Sequence, residues 1–201
     1  MNVAAQRVEG GWPVVDRVFQ CPNGKCQGLF IARYNKTKLQ GQGHFELQSC
    51  VPFELAVEAQ TETISKISPD FCAIYEQASK AEQHALGLVA GPGYRKALEF
   101  LIKDYIISQS TEEGPDKKAA HKAAVEKMLL GACIAKYIKS EQIREIAKRA
   151  AWLGNDETHY MRKWEDKDLN DLKKLITLTL HWIEIEKLTA DVISDMPEGK
   201  P

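Results

Sequence analysis

The chain lacks any apolar run approaching the roughly 20 residues that a membrane-spanning helix requires. It lacks an excess of either charge. Lys and Arg number 27 against 28 Asp and Glu, for a formal net charge of −1, so no global field draws it to nucleic acid or to an anionic membrane. A basic local face stays compatible with that balance. Residues 1–10 lack the charged-then-apolar layout of a secretory leader, which makes a cytoplasmic location the expectation. Five cysteines, an odd number, do not make a closed disulfide framework and fit a reducing compartment. There is no internal repeat and no low-complexity segment.

What is present is an ordinary soluble composition in 201 residues, 44% hydrophobic and 27% charged. That length holds one well-buried domain with a small appendage. Residues 1–14 read as an irregular lead-in, with Gly10-Gly11-Trp12-Pro13 as a breaker cluster. Three β-like runs follow at 14–19, 29–34 and 45–50, the last with period-2 alternation. A tight turn separates the first two and a polar loop, 35–43, separates the others. Residues 1–55 thus form a lead-in and a small antiparallel meander, too small to be stable without packing or metal.

From residue 68 the period becomes helical. Ser68-Pro69-Asp70 is a start signal: a hydroxyl N-cap, proline at the first turn and an acid that favours the helix dipole. Gly91-Pro92-Gly93 punctuates before a second helix with an apolar face through Tyr94, Leu98, Leu101 and Tyr105. A third segment is expected over 116–138, bent or weakened at Gly131. A fourth, capped by Ser140, runs over 141–152, and a last one over 168–194. The last is apolar nearly all round between Leu175 and Ile185, which implies a central buried position. About five helical segments over 68–195 without intervening strands specify a mainly α helical bundle, with 196–201 as a tail.

Three groups of residues carry chemistry. Cys21 and Cys26 flank a turn between two strands, as half of a zinc knuckle does, but a structural zinc takes four ligands and one thiolate pair supplies two. A degenerate knuckle held by packing is the plainer reading, so no cofactor is expected. Arg95 and Glu99 are one helical turn apart on the shoulder of an apolar face, where a cation needs a partner. They read either as an ion pair fixing helix register or as a polar pocket in the bundle wall. Asn155 and His159 lie in the polar stretch 153–160. Gly154 is a natural C-cap, and Asn155 or Asp156 a cap for the next helical segment. Capping does not account for His159, whose imidazole suits general acid–base work near neutral pH. His84 and His121 read as surface residues and His181 as a locally satisfied buried one. Cys72 and Cys133 read as small core residues.

Several of these segments resemble a bacterial family known as domain of unknown function 4145. Tyr75-Glu76-Gln77-Ala78 is similar to its entry helix, Arg95-Lys96-Ala97-Leu98-Glu99-Phe100-Leu101 to its second motif, and Gly154-Asn155-Asp156-Glu157-Thr158-His159 to its third. Cys21-Pro22 to Cys26-Gln27-Gly28 resembles the second half of the zinc-knuckle region that often precedes it. The resemblance covers about residues 18 to 195. It implies the HEPN superfamily of helical bundles, which commonly dimerise and include many metal-independent ribonucleases with an Arg four to six residues before a His. Here Gly154 stands where those enzymes place the Arg, Arg149 is ten positions before His159, and Thr158 replaces the usual Ala.

The resulting expectation is a HEPN-like binding or interaction module, non-catalytic or weakly catalytic. It is expected to be a homodimer, with a protein partner or an RNA or nucleotide ligand, in a bacterial or phage defence or nucleic-acid context. Arg95, Glu99, Asn155 and His159 would form its polar cluster. One alternative is a metal-independent endoribonuclease with His159 as base, Asn155 as orienter and Arg95 as phosphate clamp. Another is a purely structural partner protein.

Overall fold

The computed structural model describes residues 4–9, 12–22, 24, 27–39, 42–51 and 59–199. These form two compact units, a small antiparallel sheet within 1–55 and a helical unit within 56–201.

The sheet has four strands in sequence order, β1 (Ala4–Glu9), β2 (Trp12–Gln20), β3 (Leu29–Leu39) and β4 (Gln42–Val51), all antiparallel. Two expectations change. The lead-in contains a strand, because β1 pairs along β2 from Ala4↔Arg17 to Glu9↔Trp12. Its sequence has weak apolar alternation, so backbone pairing rather than side-chain pattern makes it an edge strand. The expected loop 35–43 is mostly strand as well, with β3 and β4 paired out to Leu39↔Gln42. Between β2 and β3, Asp16 faces Arg33 through two hydrogen bonds of 2.8 and 3.1 Å, and Phe19 stacks on Phe30. The Cys21 amide donates to Gly28 O at 2.8 Å, closing that hairpin. Cys21 is half-buried, and Cys26 lies outside the described residues.

The second unit has seven helices among the described residues: α1 (Glu62–Ile67), α2 (Pro69–Gln83), α3 (Gly87–Ser108), α4 (Pro115–Lys127), α5 (Leu130–Tyr137), α6 (Glu141–Asp156) and α7 (Leu169–Asp195). The Ser68 signal works as expected: its hydroxyl oxygen accepts from the Phe71 amide at 3.3 Å and Pro69 opens α2. The Ser68 hydroxyl also donates to Asp104 of α3, so one side chain caps a helix and ties it to its neighbour.

α3 departs from expectation. It begins at Gly87 and carries Gly91-Pro92-Gly93 within its first two turns. Proline removes the donor to the carbonyl four residues back, that of Leu88. Leu88 is 96% exposed, so the lost bond falls at the open start of the helix, where the proline is tolerated. A Cβ on Gly93 would lie 2.9 Å from Ala78 Cβ, so the glycine sets how closely α2 and α3 approach. The expected helix 116–138 is two helices. It breaks at Met128 and Leu129, both extended, before Gly131. The break turns Leu130, Cys133 and Ile134 into the core and leaves Leu129 outside. α7 is not buried all round: Leu172, Ile176, Thr179, Leu180 and Ile183 face the core, whereas Leu178, His181, Trp182 and Ile185 are exposed. His121, expected on the surface, is half-buried edge-on against Tyr137, and its Nε2 is buried with no hydrogen-bond partner among the described residues.

The core is carried by α3, with Tyr94, Ala97, Leu98, Leu101 and Ile102 each at 1% exposure or less. Around it, Tyr94 donates to Glu82 of α2 at 2.7 Å and Lys173 of α7 reaches the same carboxylate at 2.8 Å. One carboxylate thus joins three helices. Among the described residues no helix is long and apolar enough to cross a membrane.

Candidate functional site

α3 packs on α6, and this contact builds the polar cluster. Arg95 Nε donates to Asn155 Oδ1 at 3.0 Å, and Nη1 donates to Glu99 Oε2 at 3.1 Å. Lys103, one turn further along α3, holds the other oxygen of Glu99 at 2.7 Å and donates to Glu126 O at 2.9 Å. Arg95, Glu99 and Lys103 therefore form one i, i+4, i+8 row, with the carboxylate shared by two cations. Burial on its own would raise the Glu99 carboxyl, but Lys103 and Arg95 outweigh it and hold it below the ordinary glutamate range. The Arg95 side chain is 17% exposed. An ion at that depth needs the partners it has.

Gly154 has a role that local sequence does not show. A Cβ there would lie 2.4 Å from Arg95 Cδ and 3.1 Å from its Cβ. The aliphatic stem of Arg95 crosses α6 at this point, and glycine makes the room. Gly154 is not the expected C-cap, since α6 runs on to Asp156. The Glu157 amide donates to Leu153 O and the His159 amide to Asn155 O, so the helical winding dies out over 157–159. Asn155 and Asp156 do not cap the next helix either. That cap is Asp168, whose carboxylate accepts from Asn170 and Asp171 in a capping box.

Asp156 takes another part. Its side chain is buried in the loop 157–168, and Oδ2 accepts from two successive amides, Lys163 at 2.9 Å and Trp164 at 2.7 Å. Two charge-assisted bonds to backbone fold the loop back on the end of α6. They carry Trp164 to within 6.0 Å of Trp152, with the rings 10° from parallel.

Between the helix end and this loop lies an open groove of about 660 Å³ lined by Trp152, Asn155, His159, Tyr160, Lys163 and Trp164 among others. His159 is exposed, and its ring has no hydrogen bond to any described residue. Asn155 belongs to both neighbourhoods. Its amide oxygen is occupied by Arg95, which leaves its amide N–H groups as donors, and the residue lines the groove. Arg95 is not among the groove-lining residues. The structure thus brings Arg95, Glu99 and Asn155 into direct contact, and joins His159 to Asn155 across one helical turn. Trp152, Lys163 and Trp164 do not stand out in the sequence, and Asp156 does so only as a candidate cap. The signal that points to the tryptophans is Lys148-Arg149 placed one turn before Trp152 on α6, which sets two cations near an indole face.

The residues lining the groove bring an imidazole, a side-chain amide, a lysine and two indoles. Groups of these kinds can hydrogen-bond to and stack on a planar polar ligand with negative charge. Among the described residues no cluster of three or more His, Cys, Asp or Glu is placed to hold a metal ion. Compared with family models, with curated proteins and with solved structures, the chain gives no match.

Proposed function

We propose that the helical unit is a HEPN-like, non-catalytic binding module that holds a nucleotide-like ligand in the groove at the end of α6. The observation that carries this reading is the division of labour at Asn155. The guanidinium of Arg95 is committed to Asn155 and Glu99 inside the fold, whereas His159, Lys163 and the indoles line the groove. In the nuclease alternative Arg95 is the cation at the developing phosphorane, and here the arginine serves the α3–α6 contact instead, which leaves Lys163 as the cation beside His159. The family resemblance adds the proposals of a homodimer and of a defence or nucleic-acid setting.

Titration with adenosine monophosphate, followed by tryptophan fluorescence, tests the reading. Saturable quenching is expected, weakened about tenfold by His159→Ala or Asn155→Ala for a lost interaction of about 1.4 kcal/mol. Absence of any nucleotide effect overturns it. A second reading, a metal-independent endoribonuclease, rests on the exposed His159 imidazole in the groove, which has no hydrogen bond among the described residues. Cleavage of varied RNAs that disappears in His159→Ala, with the fold intact by circular dichroism, supports that reading instead.

A further inference from the structure

The Trp152–Trp164 pair borders more than one cavity. One is the groove of Asn155 and His159, about 660 Å³. Another is a second groove of about 340 Å³, lined by the apolar Leu153, Leu175 and Leu178 and by the cations Arg149, Lys167 and Lys174. Both tryptophans line both grooves. They are 38% and 40% exposed, so the pair is a wall open to solvent and not a buried packing contact. Lys148 Nζ lies 5.5 Å and Arg149 Cζ 5.9 Å from the Trp152 ring centre.

From this juxtaposition we propose that the second groove is a second nucleotide subsite, and that the ligand is single-stranded nucleic acid with adjacent nucleotides in the two grooves that share the tryptophan pair. The inference rests on the reading of the first groove as a nucleotide site. Base–aromatic stacking is indifferent to sequence because every base has a π-face, and cations beside the stacking platform track the phosphates. The cations Lys148, Arg149, Lys163, Lys167 and Lys174 gather around one aromatic pair in a chain whose net charge is −1. Arg149 pairs with Glu145 at 2.7 Å and Lys167 with Asp166 at 3.0 Å. Both pairs are at the surface, where such bridges are weak, so a phosphate can take the place of either acid. Asp171, the acid lining the second groove, is turned to the Asp168 amide in the capping box. The apolar lining suits a base or a sugar. The cations select an anionic chain over a neutral peptide.

The test uses the full chain and fluorescently labelled oligonucleotides of one to eight residues, in ribose and deoxyribose series, read by anisotropy at low and moderate salt. Affinity in either series is expected to rise steeply from one to a few nucleotides and then level off, and to fall with salt. Arg149→Ala with Lys174→Ala is expected to lower oligonucleotide affinity about tenfold, a loss of about 1.4 kcal/mol, and to lower mononucleotide affinity by less. Trp164→Phe, which keeps a ring, is expected to retain more affinity than Trp164→Leu. A mononucleotide that binds as tightly as the longer strands, or indifference to the double substitution, overturns the second subsite and leaves the first groove standing. Equal binding of duplex, or equal competition by polyglutamate, overturns the single-strand assignment. No binding at any length overturns both readings together.

Discussion

Asp156 and Gly154 are neighbours with opposite duties. The carboxylate is buried and carries the loop 157–168 on two backbone amides. Asp156→Ala leaves both amides without their acceptor and is expected to destabilise the unit by about 1.5–3 kcal/mol, the range for hydrogen bonds to a charged group. The shift in urea midpoint measures it. The loss of the Trp152–Trp164 exciton signal in near-ultraviolet circular dichroism reports release of the loop. Gly154 contributes by what it lacks. Gly154→Ala forces the Arg95 stem aside and is expected to cost about 1–3 kcal/mol as an overpacked contact, checked by thermal melting. Arg95→Ala in the same background is expected to recover part of that loss, because the clash disappears with the stem.

At the level of the helix, some boundaries are legible from local chemistry and others are not. Ser68-Pro69-Asp70 and Ser140 mark helix starts because the donors they satisfy are three residues away. Gly91-Pro92-Gly93 and Gly154 mislead because their glycines answer to partners far along the chain. Gly93 makes room for Ala78, and Gly154 for Arg95. Read locally, both look like punctuation; in the fold they are points of close approach inside helices. The apolar run of α7 misleads for a related reason, since its packing against α1, α3 and α6 leaves Leu178, Trp182 and Ile185 exposed. The site divides likewise. Arg95, Glu99, Asn155 and His159 stand out by residue type and spacing, but the tryptophan wall depends on a loop whose course is set by a buried carboxylate. For α7, removal of the cap in Asp168→Ala is expected to cost about 0.5–2 kcal/mol, seen as a lower urea midpoint.

Across the whole helical unit, stability has a defined acid limb. Burial would raise Glu82 and Glu99, but Lys173 with Tyr94 in the first case, and Lys103 with Arg95 in the second, bring both below the ordinary value of 4.5. The unfolded chain therefore binds protons that the folded chain does not, and stability falls as pH drops below about 4.5. Burial raises Asp104, which acts in the opposite sense: its contribution is present in acid and is lost as pH rises through its folded value. Urea unfolding from pH 3 to 7 is expected to show a shallower acid limb in Glu82→Gln than in wild type, and a steeper net loss of stability toward acid in Asp104→Asn.

The two amides that Asp156 receives belong to the main chain of Lys163 and Trp164, not to their side chains. These two bonds are therefore indifferent to which side chains the loop displays at 163 and 164. Positions 160, 161 and 163 form an interchangeable facing on a fixed bracket, and ligand preference can drift by substitution there while the bundle stays as it is. Lys163→Glu is expected to fold with an unchanged melting temperature and to repel an anionic ligand.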